Sequence, residues 1–265
     1  MRIIRRTALL VGLCALLATR LAAAGEGFKP FVFIHAGDTE LGSPDLKGTT
    51  ERFALLAKRA NAIGAAFVVI AGDLTHDPTD ECLSAFESCL KQFRMPVKVI
   101  PGNHDDPRVF AKHFGPSRYI FTHADCDFIC LDSNAFLSHP DPADPNAHEH
   151  WKWLETALDE AQRQKRTHTF VVLHHPIADQ PPMDALLAKY RIAAVLCGHL
   201  HMTRELPGKG FTIYVSPGTA KFRDGKGLGY RVFKVFQDRI EQEMVPLDKE
   251  IGCVEATDPS PVPAK

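Results

Sequence analysis

Five short islands of polar donors, each set directly behind an apolar run, constrain this chain more than any other feature. The islands are Asp38-Thr39-Glu40, Gly72-Asp73, Gly102-Asn103-His104-Asp105, His174-His175-Pro176 and Gly198-His199-Leu200-His201. The runs before them are Phe31 to His35, Phe67 to Ala71, Val97 to Ile100, Thr169 to Leu173 and Ile192 to Cys197. Such short, β-branched-rich runs read as buried strands. Donors at strand ends collect along one edge of a sheet, where open α/β sheets hold their ligands. Gathered Asp, Asn and His side chains make a hard-to-borderline metal site.

Between the strands, apolar residues recur at helical spacing over Thr49 to Ile63, Asp80 to Phe93, His148 to Ala161 and, more briefly, Met183 to Tyr190. This alternation predicts βαβ units and an α/β fold. After Gly198 the pattern changes. Phe211 to Val215, Tyr230 to Phe236 and Arg239 to Val245 read as strands without helices between them, a more antiparallel half. Two layers of helix around a β-sandwich is the simplest architecture that fits. The Pro- and Asp-rich stretch Asp132 to Asn146 reads as a long loop near the site. The expected organisation is a leader at 1–24, one domain over 25–255 and a disordered tail at 256–265.

The leader expectation rests on Arg2, Arg5 and Arg6, an apolar run from Thr7 to Leu17 that is short for a bilayer, and Ala22-Ala23-Ala24 as a cleavage site. A twin-arginine signal and an uncleaved anchor stay open beside cleaved export. Without the leader's four Arg, the 31 Lys+Arg fall to 27 against 32 Asp+Glu, a net charge of −5. That balance excludes a broad basic footprint for extended nucleic acid. It allows a small phosphorylated partner, because a metal can carry the positive charge. Six Cys remain after cleavage, an even count that invites disulfides, but their spacings do not demand any. Cys197 reads as a buried thiol, and Cys126 and Cys130 share one strand face.

In order and content the islands resemble the calcineurin-like metallophosphoesterase family. Its pattern is an Asp-x-His, a Gly-Asp, a Gly-Asn-His-Asp, a later His and a Gly-His-x-His, matched here over residues 31 to 245. The resemblance implies a four-layer αββα sandwich of two mixed β-sheets flanked by helices. It implies two divalent metal ions, drawn from Mn, Fe, Zn and Mg, bridged by Asp73. One ion would take Asp38, Asp73 and His201 with Glu40 nearby, and the other Asp73, Asn103, His174 and His199. Water activated between such ions can attack phosphorus in line. The implied substrate is a phosphomonoester or a small phosphodiester such as a cyclic nucleotide, with no stable membrane span after cleavage.

His104 would face the substrate and protonate the leaving oxygen or clamp the phosphate, with Asp105 orienting its ring. Glu40 stands where the family has His. A harder, charged donor there either shifts the site toward Mn²⁺ or Mg²⁺ or leaves it weak until substrate arrives. A non-catalytic binding member of the fold, weakened at Glu40, is the rival function. His76 reads as a supporting or surface residue. His175 reads as pointing away from its neighbour, and His35, His113, His123, His139, His148, His150 and His168 as solvated or core. Trp151 reads as packed core. Lys221 and Arg223, behind the turn Ser216-Pro217-Gly218-Thr219, are candidates for gripping substrate phosphate.

Overall fold

The computed structural model describes residues 27–145, 148–225 and 227–247. The expected leader and tail lie outside the described residues. Side chains that alternate in environment along each strand explain the architecture. In β1 (Phe31–Ala36), Phe33 faces one core while Ile34 and Ala36 face another. In β2 (Phe67–Ala71), Phe67, Val69 and Ala71 join Phe33, and Val68 and Ile70 join Ile34. A strand apolar on both sides must be covered on both sides, so each sheet lies between a layer of helices and the other sheet.

The first sheet has the order β11-β10-β1-β2-β3, with β3 (Val97–Ile100), β10 (Gly229–Val235) and β11 (Ile240–Pro246). The second runs β4-β5-β6-β7-β9-β8, with β4 (Tyr119–His123), β5 (Cys126–Cys130), β6 (His168–Val172), β7 (Ala194–Cys197), β8 (Arg204–Pro207) and β9 (Thr212–Val215). Helices α1 (Leu46–Ile63) and α2 (Asp80–Leu90) supply Phe53, Leu56 and Phe86 to the outer face of the first sheet. Helix α5 (His148–Arg163) and the short α6 (Pro181–Leu187) cover the second through Trp151, Leu154, Leu158 and Met183. The remaining α-helices among the described residues are α3 (Pro107–Phe114) and α4 (Ser133–Ser138), and a 3-10 turn spans Ile177–Asp179. This is the four-layer αββα sandwich. Between the sheets Phe33 stacks on Phe67 and Phe233 at centroid distances of 5.1 and 4.9 Å, and meets Phe128 and Phe170 edge-on.

The antiparallel half differs from expectation in being divided between the sheets. β10 and β11 return to the first sheet, with β10 antiparallel to β1. β9 instead pairs parallel with β7 in the second. The loop expected over Asp132 to Asn146 contains α4, capped where the Asp132 carboxylate accepts from the Asn134 N–H. All five described cysteines are free and buried, and Cys126 and Cys130 share the inter-sheet face. No helix among the described residues is long and apolar enough to cross a membrane.

His35 is wholly buried in β1. Burial first, and the Arg231 guanidinium second, hold its pKa down from 6.5 to about 3. The unfolded chain therefore binds a proton between pH 6.5 and 3 that the folded chain refuses. This contribution is fully present above pH 6.5 and is lost as the pH falls through that window, by about 1.4 kcal/mol per unit. Urea unfolding of metal-free protein at pH 7 and pH 5 checks it. His35→Gln should flatten the slope, and an unchanged slope contradicts the assignment.

Candidate metal centre

Each island leaves the C-terminal end of its strand, but the strands belong to both sheets. Asp38 and Glu40 follow β1, Asp73 follows β2, and Asn103 and His104 follow β3. His174 follows β6, and His199 and His201 follow β7. The expected single sheet edge is thus the shared edge of two sheets, and the donors meet across the seam. Within each sheet, backbone bonds hold neighbouring islands together beyond the strand ends. Asp38 N–H donates to the Gly72 carbonyl at 3.0 Å, Glu40 N–H to that of Asp73 at 2.9 Å, and Gly198 N–H to that of His174 at 3.0 Å. The buried Thr39 hydroxyl donates to the Leu74 carbonyl at 2.8 Å.

Five of the donors, Asp38, Glu40, Asp73, His199 and His201, have positive φ, which side-chain-bearing residues rarely adopt. Such strain persists only where surrounding contacts over-determine it, and it concentrates at functional sites. The island glycines are there for close approach. A Cβ on Gly102 would sit 2.1 Å from Asp73 Oδ1, and one on Gly198 would sit 2.8 Å from Asp38 Oδ2.

One group of donors closes tightly. His174 Nε2 lies 3.1 Å from Asn103 Oδ1 and 3.2 Å from Asp73 Oδ2. His199 Nδ1 lies 3.0 Å from Asn103 Oδ1. The other nitrogen of His174, Nδ1, faces the Ala71 carbonyl at 2.8 Å and so carries a proton. In the neutral ring, Nε2 would then turn a lone pair on two oxygens. A cation between them resolves the conflict, and an imidazole fixed by a backbone carbonyl is the usual arrangement of a metal-ligating His. The donor set fits a divalent ion. Without one, His174 takes up a proton. Burial opposes this, but the Asp73 hydrogen bond and the Asp38 and Asp73 charges outweigh it and raise its pKa to about 9.

The second group gathers around Glu40 and Asp38. His201 Nε2 is 3.5 Å from Glu40 Oε1 and 3.8 Å from Asp38 Oδ1. Asp38 accepts from the His199 N–H at 2.9 Å. Asp38, Glu40 and Asp73 are all buried. Burial pushes Asp38 up to about 7, reinforced by the neighbouring Asp73 and Glu40 charges. Burial also acts on Asp73, but the His174 hydrogen bond and charge and the His104 N–H prevail and hold it at about 2. Three crowded carboxylates are costly without a positive charge among them. Burial lowers the pKa of His199 and His201, keeping both rings available as neutral ligands.

His104 stands at the rim with its Nδ1 on the His76 carbonyl at 3.0 Å and its Nε2 3.9 Å from Glu40 Oε1. Asp105 is not the residue that orients this ring. Its carboxylate accepts from the Gly102 N–H at 2.8 Å and the Leu74 N–H at 3.2 Å, tying two islands together. The chain turns through 103–105, the two side chains part, and the His76 carbonyl takes the orienting role. His175 also differs from expectation. It is buried, its Nδ1 is 2.8 Å from the Ser133 hydroxyl, and its ring centroid is 4.2 Å from that of His199. Lys221 reaches the site, with Nζ 2.6 Å from Glu40 Oε2. Arg223 contributes its backbone N–H to the His201 carbonyl at 2.7 Å.

Solved structures share this two-sheet sandwich. A dimetal phosphatase of Danio rerio aligns with a TM-score of 0.66 at 12% identity, over 82% of this chain and 96% of that one. GAP50, the anchor in the inner membrane complex of Plasmodium, aligns at 0.65 with 16% identity, over 83% and 85%. Likeness at these identities concerns the fold, which serves a phosphatase and an anchor alike. The calcineurin-like phosphoesterase family model matches residues 17–203, and the chain belongs to that family. It is 26% identical over 172 residues to the 3',5'-cyclic adenosine monophosphate phosphodiesterase CpdA of Escherichia coli K12, covering 57% of this chain. The match spans 60% of that relative's length. A cAMP/cGMP dual specificity phosphodiesterase of Mycobacterium tuberculosis is 24% identical over 271 residues, covering 86% of this chain and 83% of that protein.

Proposed function

We propose that this chain hydrolyses small phosphodiesters, cyclic nucleotides foremost, at a centre of two divalent metal ions. The observation that carries the reading is the convergence of His174 Nε2, His199 Nδ1 and Asp73 Oδ2 on and around Asn103 Oδ1. Asn103, His174, His199 and Asp73 would hold one ion, and Asp38, Glu40, His201 and the shared Asp73 the other. When bound, the ions supply Lewis acidity that activates water and offsets charge on the phosphoryl oxygens. The protein's own residues do the rest. The Ala71 carbonyl fixes His174, the His199 N–H fixes Asp38, and the His104 N–H fixes one oxygen of Asp73.

His104 is the proton donor. With Nδ1 committed to the His76 carbonyl, a protonated ring has its second N–H, on Nε2, to give to the leaving alkoxide. The names of the relatives favour a cyclic diester over a monoester as substrate. The second reading, a non-catalytic binder, is favoured by one contact, the Lys221 ammonium against Glu40. The rim position of His104 weighs against it, because a binder has no use for a proton donor there.

Metal-stripped protein assayed with cyclic AMP, bis-p-nitrophenyl phosphate and p-nitrophenyl phosphate decides between them. Mn²⁺ or Zn²⁺ should restore hydrolysis, diesters should be turned over faster than the monoester, and Asn103→Ala should stay inactive. Metal binding without hydrolysis of any of the three would leave the binder.

A further inference from the structure

The carboxylate of Glu40 is divided between two tasks. Its side chain is 2% exposed. Oε1 faces the donor cluster, 3.5 Å from His201 Nε2 and 3.9 Å from His104 Nε2, while Oε2 meets Lys221 Nζ at 2.6 Å. Lys221 does not arrive by the chance swing of a long side chain. Its loop is fastened to the first island, through Thr219 N–H to the Gly37 carbonyl at 3.4 Å and Ala220 N–H to the Asp38 carbonyl at 3.2 Å. Gly37 and Gly218 pair as an isolated parallel bridge. The turn is tight enough that a Cβ on Gly218 would lie 2.4 Å from the Lys221 carbonyl oxygen.

We propose that Lys221 is a built-in counter-ion that tunes the metal position served by Glu40, an inference that rests on the two-ion reading of the site. The ammonium holds one oxygen, so Glu40 can offer only the other. It also cancels the carboxylate charge, so the pair enters the site as a neutral donor, as an imidazole would. The position built from Asp38, Glu40 and His201 therefore competes with an ammonium for its glutamate and binds its ion more weakly. The position of Asn103, His174, His199 and Asp73 has no lysine or arginine ion-paired to its donors among the described residues, and the proton on His174 leaves when the ring ligates. The two ions are consequently unequal: one resident, one exchangeable.

Calorimetric titration of metal-free protein with Mn²⁺ tests this without reference to activity. The wild type should bind two equivalents in two distinct steps. Lys221→Met removes the charge and keeps the apolar stem. It should tighten the weaker step about tenfold, the scale of losing one close, partly solvated unit charge, and leave the tighter step unchanged. In a Glu40→Gln background the same substitution should have no such effect. Lys221→Gln serves if the Met variant does not fold, as judged by thermal unfolding. Two equivalents in the wild type with an unchanged or weakened second step in Lys221→Met would overturn the counter-ion role alone. No metal bound by any variant would overturn the two-ion reading and this inference with it.

Discussion

Asp73→Ala is expected to lower kcat/KM for a phosphodiester by more than about 100-fold and to cost the protein its second equivalent of metal. The expectation follows from what the carboxylate touches. One oxygen accepts from the His104 N–H at 2.9 Å, the other faces His174 Nε2 at 3.2 Å, and the whole group is buried. The side chain thus joins the β2 island to both the β3 and the β6 island. Loss of outer-sphere partners alone costs metal sites 10- to 100-fold, and loss of a donor that the proposed function shares between both ions should exceed that. Asp73→Asn separates ligation from architecture. It retains an acceptor for the His104 N–H and so should fold, yet it lacks the second anionic oxygen. Kinetics, metal content and thermal unfolding on both variants check the claim. A well-folded Asp73→Asn with wild-type metal content and turnover would refute it.

His104→Ala should reduce kcat for cyclic AMP by about 10²-fold or more, in the range of lost general acid catalysis. The effect should depend on the leaving group. Cyclic AMP expels an alkoxide, which needs a proton, whereas bis-p-nitrophenyl phosphate expels a phenolate that leaves without one. The loss for the aryl diester should therefore be less than about tenfold if the imidazole acts as acid. Equal losses on both substrates would show instead that His104 clamps phosphate or supports the loop. The fixed Nδ1 on the His76 carbonyl is the reason to expect the acid role.

The convergence of the seven residues expected as metal donors was legible in the sequence because strand ends and polar islands coincide. A parallel strand that ends at a sheet edge delivers whatever follows it to that edge, and five such ends in one domain converge. Contacts made by the loops themselves were not legible. The alternation rule that turns His175 away from His174 holds within a pleat, but β6 ends at Val172, and both residues lie beyond it. Adjacency suggested that Asp105 serves His104, whereas the carboxylate turns back to the Gly102 and Leu74 N–H groups. Lys221 carried no spacing signal toward Glu40, since their contact depends on β10 returning to pair with β1 and on the loop that precedes it.

Among the elements, the buried strands and both edge strands of the first sheet, β3 and β11, were readable, and the edge strands of the second sheet were not. β8, Arg204–Pro207, is mostly exposed, charged and ended by Pro, as edge strands are when they resist further pairing. β4, Tyr119–His123, is likewise only half-buried at the opposite edge. Helix α3 begins with Asp106 as its cap and Pro107 in its first turn, immediately after the third island, so the motif concealed a helix start.

The most direct test of the two-ion account is the rate of cyclic AMP hydrolysis by metal-stripped protein as Mn²⁺ is added in counted equivalents. The account predicts no turnover without metal and a rate that keeps rising to two equivalents per chain, with the second ion the easier to remove. Full activity in the metal-free protein, or a rate that saturates at one equivalent, would contradict it.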